Sequence, residues 1–128
     1  FTVEGLQAVY PSPAELTFDV QGPAGCMQAF LLEGNQAYRF FPNDTEPKSC
    51  RPDGFHNTAF PDPESQRKYE LFHEPGIEGP WMLVFVFTKK DCAAAVPATW
   101  AARELLFWIE SMEPEERDVK MHPFGFGL

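Results

Sequence analysis

The sequence predicts a mainly β protein, a sandwich or barrel of short strands with one α-helix in its C-terminal half. Three observations predict it. Short runs of alternating or aromatic and β-branched residues recur along the chain. Thirteen prolines divide them, and each proline removes an amide donor and fixes φ. A single stretch, just before Pro114, carries helical periodicity.

The elements follow in chain order. "TVEGLQAVY", from Thr2 to Tyr10, is a weak strand candidate, and "LTFDV", Leu16 to Val20, is a stronger one. "CMQAFLLE" (Cys26 to Glu33) and "AYRFF" (Ala37 to Phe41) flank Glu33-Gly34-Asn35-Gln36, whose Gly-Asn pair tolerates positive φ, so Cys26 to Phe41 reads as a hairpin. From Asp44 to Gln66 the chain is rich in Pro, Asp, Asn and Ser, and only "FHNTAF" offers a brief extended piece. "KYELF", Lys68 to Phe72, has a mixed pattern. "WMLVFVFT", Trp81 to Thr88, is apolar at both alternations, which fits a central strand covered on both faces. Leu105, Trp108, Ile109 and Met112 recur at helical spacing after Thr99, a candidate cap, and before Pro114. This predicts a helix over about residues 98–112 that covers an open edge or end of the sandwich. "VKMHPFGF" is a weak closing strand. No repeat or interdomain linker interrupts the 128 residues, and a single domain is expected.

The stretch "YRFFPNDTEPKSCRPDG", Tyr38 to Gly54, joins a strand to the longest loop. Pro42 cannot donate to a ladder and Asn43 can bond amides two residues on, so the junction reads as a mechanical stop. The functional alternative presents Asn43 and Asp44 to a ligand or cation. The carboxylates of Asp44, Glu46, Asp53, Asp62 and Glu64 follow no EF-hand spacing. Asn43-Asp44-Thr45 also fits the N-glycosylation pattern.

The order of these pieces resembles the bacterial family known as domain of unknown function 4384. The resemblance rests on the strand Cys26 to Glu33, the turn at Gly34, the strand Ala37 to Phe41 closing in Phe41-Pro42-Asn43, and Pro75-Gly76 with Glu78 leading into Trp81 to Thr88. It implies an immunoglobulin-like β-sandwich, commonly an accessory module of bacterial envelope or signalling proteins, without an established catalytic centre.

A formal net charge of −9 disfavours nucleic acid and anionic membrane surfaces, because both require clustered Lys and Arg. No apolar run reaches the roughly 18 to 20 residues of a spanning helix, so no membrane insertion by this segment is expected. Cys26, Cys50 and Cys92 permit one internal disulfide. A meander would bring all three toward one end of the sandwich. A Cys50–Cys92 bond is preferred there because both cysteines follow strands running the same way, with Cys26 a small buried hydrophobe; free thiols are the alternative. His56, His73 and His122 show no metal-binding spacing, and no motif calls for a metal or cofactor. Glu74, Glu78, Glu104 and Glu110 are carboxylates available in principle for acid–base work, but the spacing singles out no catalytic residue.

The aromatic load is the most suggestive functional feature. "HPFGFGL", His122 to Leu128, offers Phe124 and Phe126 as a partner-binding surface, with a closing strand as the alternative. The expectation is a noncatalytic module of a bacterial envelope or secretion-associated assembly, in the periplasm or cell envelope. It would bind another protein whose surface is neutral or basic. A small hydrolase using carboxylate or cysteine chemistry and a sandwich lipoprotein subunit of a secretion machine are the alternatives.

Overall fold

A computed structural model describes residues 1–127, and in it the alternating runs become twelve short strands. In chain order they are β1 (Thr2–Glu4), β2 (Val9–Pro11), β3 (Ala14–Leu16), β4 (Phe18–Gly22), β5 (Gly25–Glu33) and β6 (Gln36–Phe41). Then come β7 (Cys50–Arg51), β8 (Phe55–Phe60), β9 (Tyr69–Leu71), β10 (Trp81–Thr88), β11 (Thr99–Ala101) and β12 (Arg117–Gly127). One α-helix, α1 (Ala102–Ser111), stands between β11 and β12.

The principal sheet runs β11-β6-β5-β10-β12-β2, with β7 added beside the start of β5. Against one face lie two smaller sheets, β1-β4-β8 and β3-β9. Together they form a sandwich with Phe18, Phe41, Phe55, Phe60, Leu83 and Phe85 buried between the layers. Strand β10 is central, and its alternation is explained by burial on both faces. Leu83, Phe85 and Phe87 point into the sandwich core, while Val84 and Val86 join Phe30, Leu105 and Ile109 on the opposite face.

The hairpin β5–β6 forms as expected, with Glu33 opposite Gln36 across a two-residue turn. Gly34 has φ of +59°, and Gly at the first central position suits the twist that tight hairpins require. A register shift between Ala29 and Phe30 lets consecutive Phe40 and Phe41 both turn toward the sandwich core. Gly54, at φ +86°, has a second constraint: a Cβ there would lie 2.8 Å from the Gly22 carbonyl oxygen.

The helix differs from expectation in extent and in place. Residues Thr99–Ala101 form β11 on the outer edge of β6, with Trp100 opposite Ala37. Trp100 then packs on Phe30 at 6.4 Å, so an unpaired strand edge took residues whose types also suit a helix. Thr99 therefore caps nothing. The helix begins after Ala101, and the Asn35 carbonyl in the hairpin turn accepts the Ala102 amide at 2.8 Å. Rather than closing an edge or end, α1 lays Leu105 and Ile109 over the second face of the principal sheet. Beside it, the Arg39 Nη1 group donates to the carbonyls of Ala93 and Val96, at 3.0 and 2.8 Å, and holds the β10–β11 connection over the same face.

The closing strand has an open outer edge over most of its length, since β2 pairs only with Gly125–Gly127. That edge is blunted. Pro123 has no amide, and the Val119 amide donates to the neighbouring Asp118 carboxylate at 3.0 Å.

Candidate functional site

The polar residues of the long loop converge on one buried carboxylate. Asn43 begins the loop as expected of a mechanical stop. Its Oδ1 accepts from the Thr45 amide at 2.9 Å, the Thr45 hydroxyl at 2.9 Å and the Glu46 amide at 3.0 Å, and its Nδ2 donates to the Phe40 carbonyl at 2.9 Å. This turn directs Glu46 inward, where it is only 8% exposed. Glu46 Oε1 accepts from the buried Tyr69 hydroxyl at 2.7 Å, and Oε2 accepts from the Asp62 amide at 2.9 Å. One carboxylate thus ties the start of the loop, its far end and strand β9 together.

A cleft of about 670 Å³ lies alongside, lined in part by Thr45, Glu46, Lys48, Arg51, Asp62 and Glu64. Its most buried acid is already committed to structure. Burial first, and then the hydrogen bond to Glu46 and the charge of that carboxylate, push the Tyr69 phenol far above its ordinary range, so it remains a donor. Arg51 lies over the Phe60 ring at 5.7 Å and donates to the Lys48 carbonyl at 2.8 Å, so it too braces the loop. With its amide nitrogen bonded inward, Asn43 is not displayed to a ligand or a sugar-transfer enzyme. Asp44 is exposed beside it.

The other sequence-predicted groups are distributed rather than assembled. His56 Nε2 donates to the Asp53 carbonyl at 2.6 Å, His73 Nε2 to Ile77 at 3.0 Å and His122 Nε2 to Gln7 at 2.7 Å. Glu74 and Glu78 lie exposed between β9 and β10, and Glu104 and Glu110 lie exposed on α1. Among the described residues no three His, Cys, Asp or Glu side chains are grouped to hold a metal ion.

The disulfide joins Cys26 to Cys50, not Cys50 to Cys92, and Cys92 is the free thiol. All three do lie toward one end: Cys26 is opposite Thr88 at the end of β10, and Ser49 donates to Asp91 at 3.0 Å. The partner differs because the chain, having left β6, returns as β7 against the start of β5. There Cys50 is the direct cross-strand partner of Cys26, with Cα atoms 3.9 Å apart.

The C-terminal aromatics belong to a closing strand. Phe124 is 8% exposed and packs on Tyr10 and Phe126, each at 5.5 Å, so it is a core residue without a surface to offer. Phe126 is half-buried, 5.0 Å from Trp81 and stacked on His73 at 5.4 Å. Leu128 lies outside the described residues.

Large apolar side chains are exposed at Val9, Tyr38, Phe72 and Met121 and at two consecutive positions, Leu106 and Phe107, on the outer side of α1. Phe107 is 68% exposed and Leu106 41% exposed. Helical spacing sets Phe107 about 200° around the axis from buried Leu105, so the ring turns away from the sheet. Arg103 and Glu110, also exposed, are its i−4 and i+3 neighbours. The signal was present in the sequence: two large apolar residues fall outside the stripe of Leu105, Trp108, Ile109 and Met112.

No protein-family model, curated protein or solved structure matches this chain.

Proposed function

We propose that the chain is a noncatalytic protein-interaction module, with the outer face of α1 as its contact surface. The exposure of Phe107 is the observation that carries this reading. An aromatic ring held on the solvent side of a well-packed helix contributes little to the fold, whereas such rings supply much of the energy at protein interfaces. The loop polar groups support the same reading, because Glu46, Tyr69, Asn43 and the three histidines all make hydrogen bonds that brace the fold.

An extracytoplasmic setting, periplasm or cell envelope, belongs to the proposal. The Cys26–Cys50 bond supports it, since disulfides persist in oxidising compartments. No helix among the described residues is long and apolar enough to cross a membrane. An immunoglobulin-like ancestry and kinship to the domain of unknown function 4384 family are part of the proposal, resting on the β5–β6 hairpin with its Phe41-Pro42-Asn43 ending and on Pro75-Gly76 with Glu78 leading into Trp81 to Thr88.

Photo-crosslinking in the native host tests the contact surface. A benzophenone amino acid at position 107 should yield a discrete adduct with another protein, and one at exposed Phe72 should not. Adduct patterns identical at the two positions would remove α1 from the interface.

A further inference from the structure

We infer that the partner seated on α1 is a second copy of the chain, its own α1 packed antiparallel about a two-fold axis between Leu106 and Phe107. This rests on the interaction reading above and names the occupant. Four exposed residues carry it: Arg103, Leu106, Phe107 and Glu110. At 100° per residue they fall within an arc of about 100°, on the side of the helix away from buried Leu105 and Ile109. Glu104 points about 110° from the centre of that arc, and Glu113, Glu115 and Glu116 follow the end of the helix.

The stripe reads basic, apolar, apolar, acidic, so its charge reverses about its own midpoint. The midpoint between positions 103 and 110 is also the midpoint between 106 and 107. A two-fold axis there sets Arg103 of each copy against Glu110 of the other, and Leu106 against Phe107. Within one copy Arg103 and Glu110 are two turns, about 10.5 Å, apart along the helix, beyond the i+3 and i+4 spacings at which helical charges pair. Neither makes an ion pair among the described residues. A second copy supplies both partners, whereas a surface for a different protein needs no such self-complementarity.

Four side chains cover far less than the roughly 800 Å² per partner of a standard interface, so the dimer is weak and the dilute chain is a monomer with its ring exposed. The net charge of −9 on each copy opposes association at long range. Physiological salt screens that repulsion beyond about 8 Å, while the Arg103–Glu110 contacts lie within that length.

Sedimentation over a wide range of chain concentration, in about 0.15 M salt, reads the equilibrium. Phe107→Ser should weaken the dimer by at least about tenfold, since the ring is lost from both halves. Arg103→Glu and Glu110→Arg should each weaken it by about tenfold, although they move the net charge in opposite directions. The exchanged variant Arg103→Glu/Glu110→Arg should recover wild-type association, and so should an equimolar mixture of the two single variants. An unchanged far-ultraviolet circular dichroism spectrum in each variant shows that the fold is intact. A benzophenone amino acid at position 107 of the purified chain should give an adduct of twice the chain mass, mapped to α1 of the second copy, and the adduct in the host should likewise carry a second copy.

A chain that stays monomeric throughout the range, or a dimer that survives Phe107→Ser, overturns the inference. Failure of the exchanged variant to recover overturns it as well, because the two charges would not then face each other. Phosphatidylglycerol vesicles bound by the monomeric wild type and not by Phe107→Ser would name a bilayer as the occupant instead. A monomer whose position 107 still crosslinks a different protein in the host would sink this inference and leave the interaction reading standing. A monomer with no host adduct at that position would sink both.

Discussion

The Tyr69 hydroxyl donates to the Glu46 carboxylate at 2.7 Å, with both residues buried. It is the contact through which the longest loop is fastened to strand β9. Tyr69→Phe removes the donor and leaves Glu46 buried with the Asp62 amide and a long 3.5 Å contact from Asn43. The expected loss is about 1 to 3 kcal/mol, read from the urea midpoint. An unchanged midpoint would show that the loop is held by other means.

The same pair gives a pH dependence of definite sign. The unfolded chain releases the Tyr69 proton near pH 10, whereas the native state keeps it well above that. Above about pH 10 the unfolded state therefore binds fewer protons, and stability falls as pH rises. Below that pH the contribution is fully present. Tyr69→Phe should flatten the alkaline limb of the stability profile; a profile parallel to wild type would contradict the assignment.

Asn43→Ala breaks the turn that aims Glu46. The Thr45 amide and hydroxyl lose their acceptor, the Glu46 amide keeps only the Asn43 carbonyl at 3.2 Å, and the Phe40 carbonyl loses its side-chain donor. The expected cost is about 1 to 3 kcal/mol, accompanied by faster proteolytic cleavage between Pro42 and Gln66. Cleavage at the wild-type rate would make the turn dispensable.

Nonreducing peptide mapping should recover a Cys26–Cys50 linked pair and an alkylated Cys92. The bond spans 24 positions, and removing it should cost about 3 to 4 kcal/mol in the chain-entropy treatment. Recovery of Cys92 in the linked peptide would restore the pairing that strand direction alone suggests.

The residues that announced themselves did so through local pattern. Trp81 to Thr88 has apolar residues on both faces because β10 is covered by the sandwich core and by α1, and Gly34-Asn35 makes the hairpin turn. What sequence could not supply was nonlocal pairing. Cys50–Arg51 is a strand only because the start of β5 lies open beside it, and Thr99–Ala101 only because β6 has a free edge. The candidate surface was half legible for a related reason. Periodicity identifies the buried stripe of a helix directly, and Leu106 and Phe107 gain meaning only once that stripe is known to be covered. Phe124 misled in the opposite sense, since its rich aromatic setting describes a closing strand as well as it describes a contact surface.

Substitutions around α1 should separate packing from contact. Leu105 is fully buried, so Leu105→Ala should cost about 2 to 5 kcal/mol through lost transfer energy and the cavity left behind. Trp108 is only half-buried against Trp100, 6.2 Å away, so Trp108→Ala should fall below the roughly 3 to 5 kcal/mol typical of a fully buried aromatic. Phe107→Ser removes a ring that faces solvent and should change stability by no more than about 0.5 kcal/mol. The order Leu105, Trp108, Phe107 in denaturant midpoints is the prediction. A Phe107→Ser loss as large as that of Leu105→Ala would mean that the outer face is packed in solution, leaving no ring free for a partner.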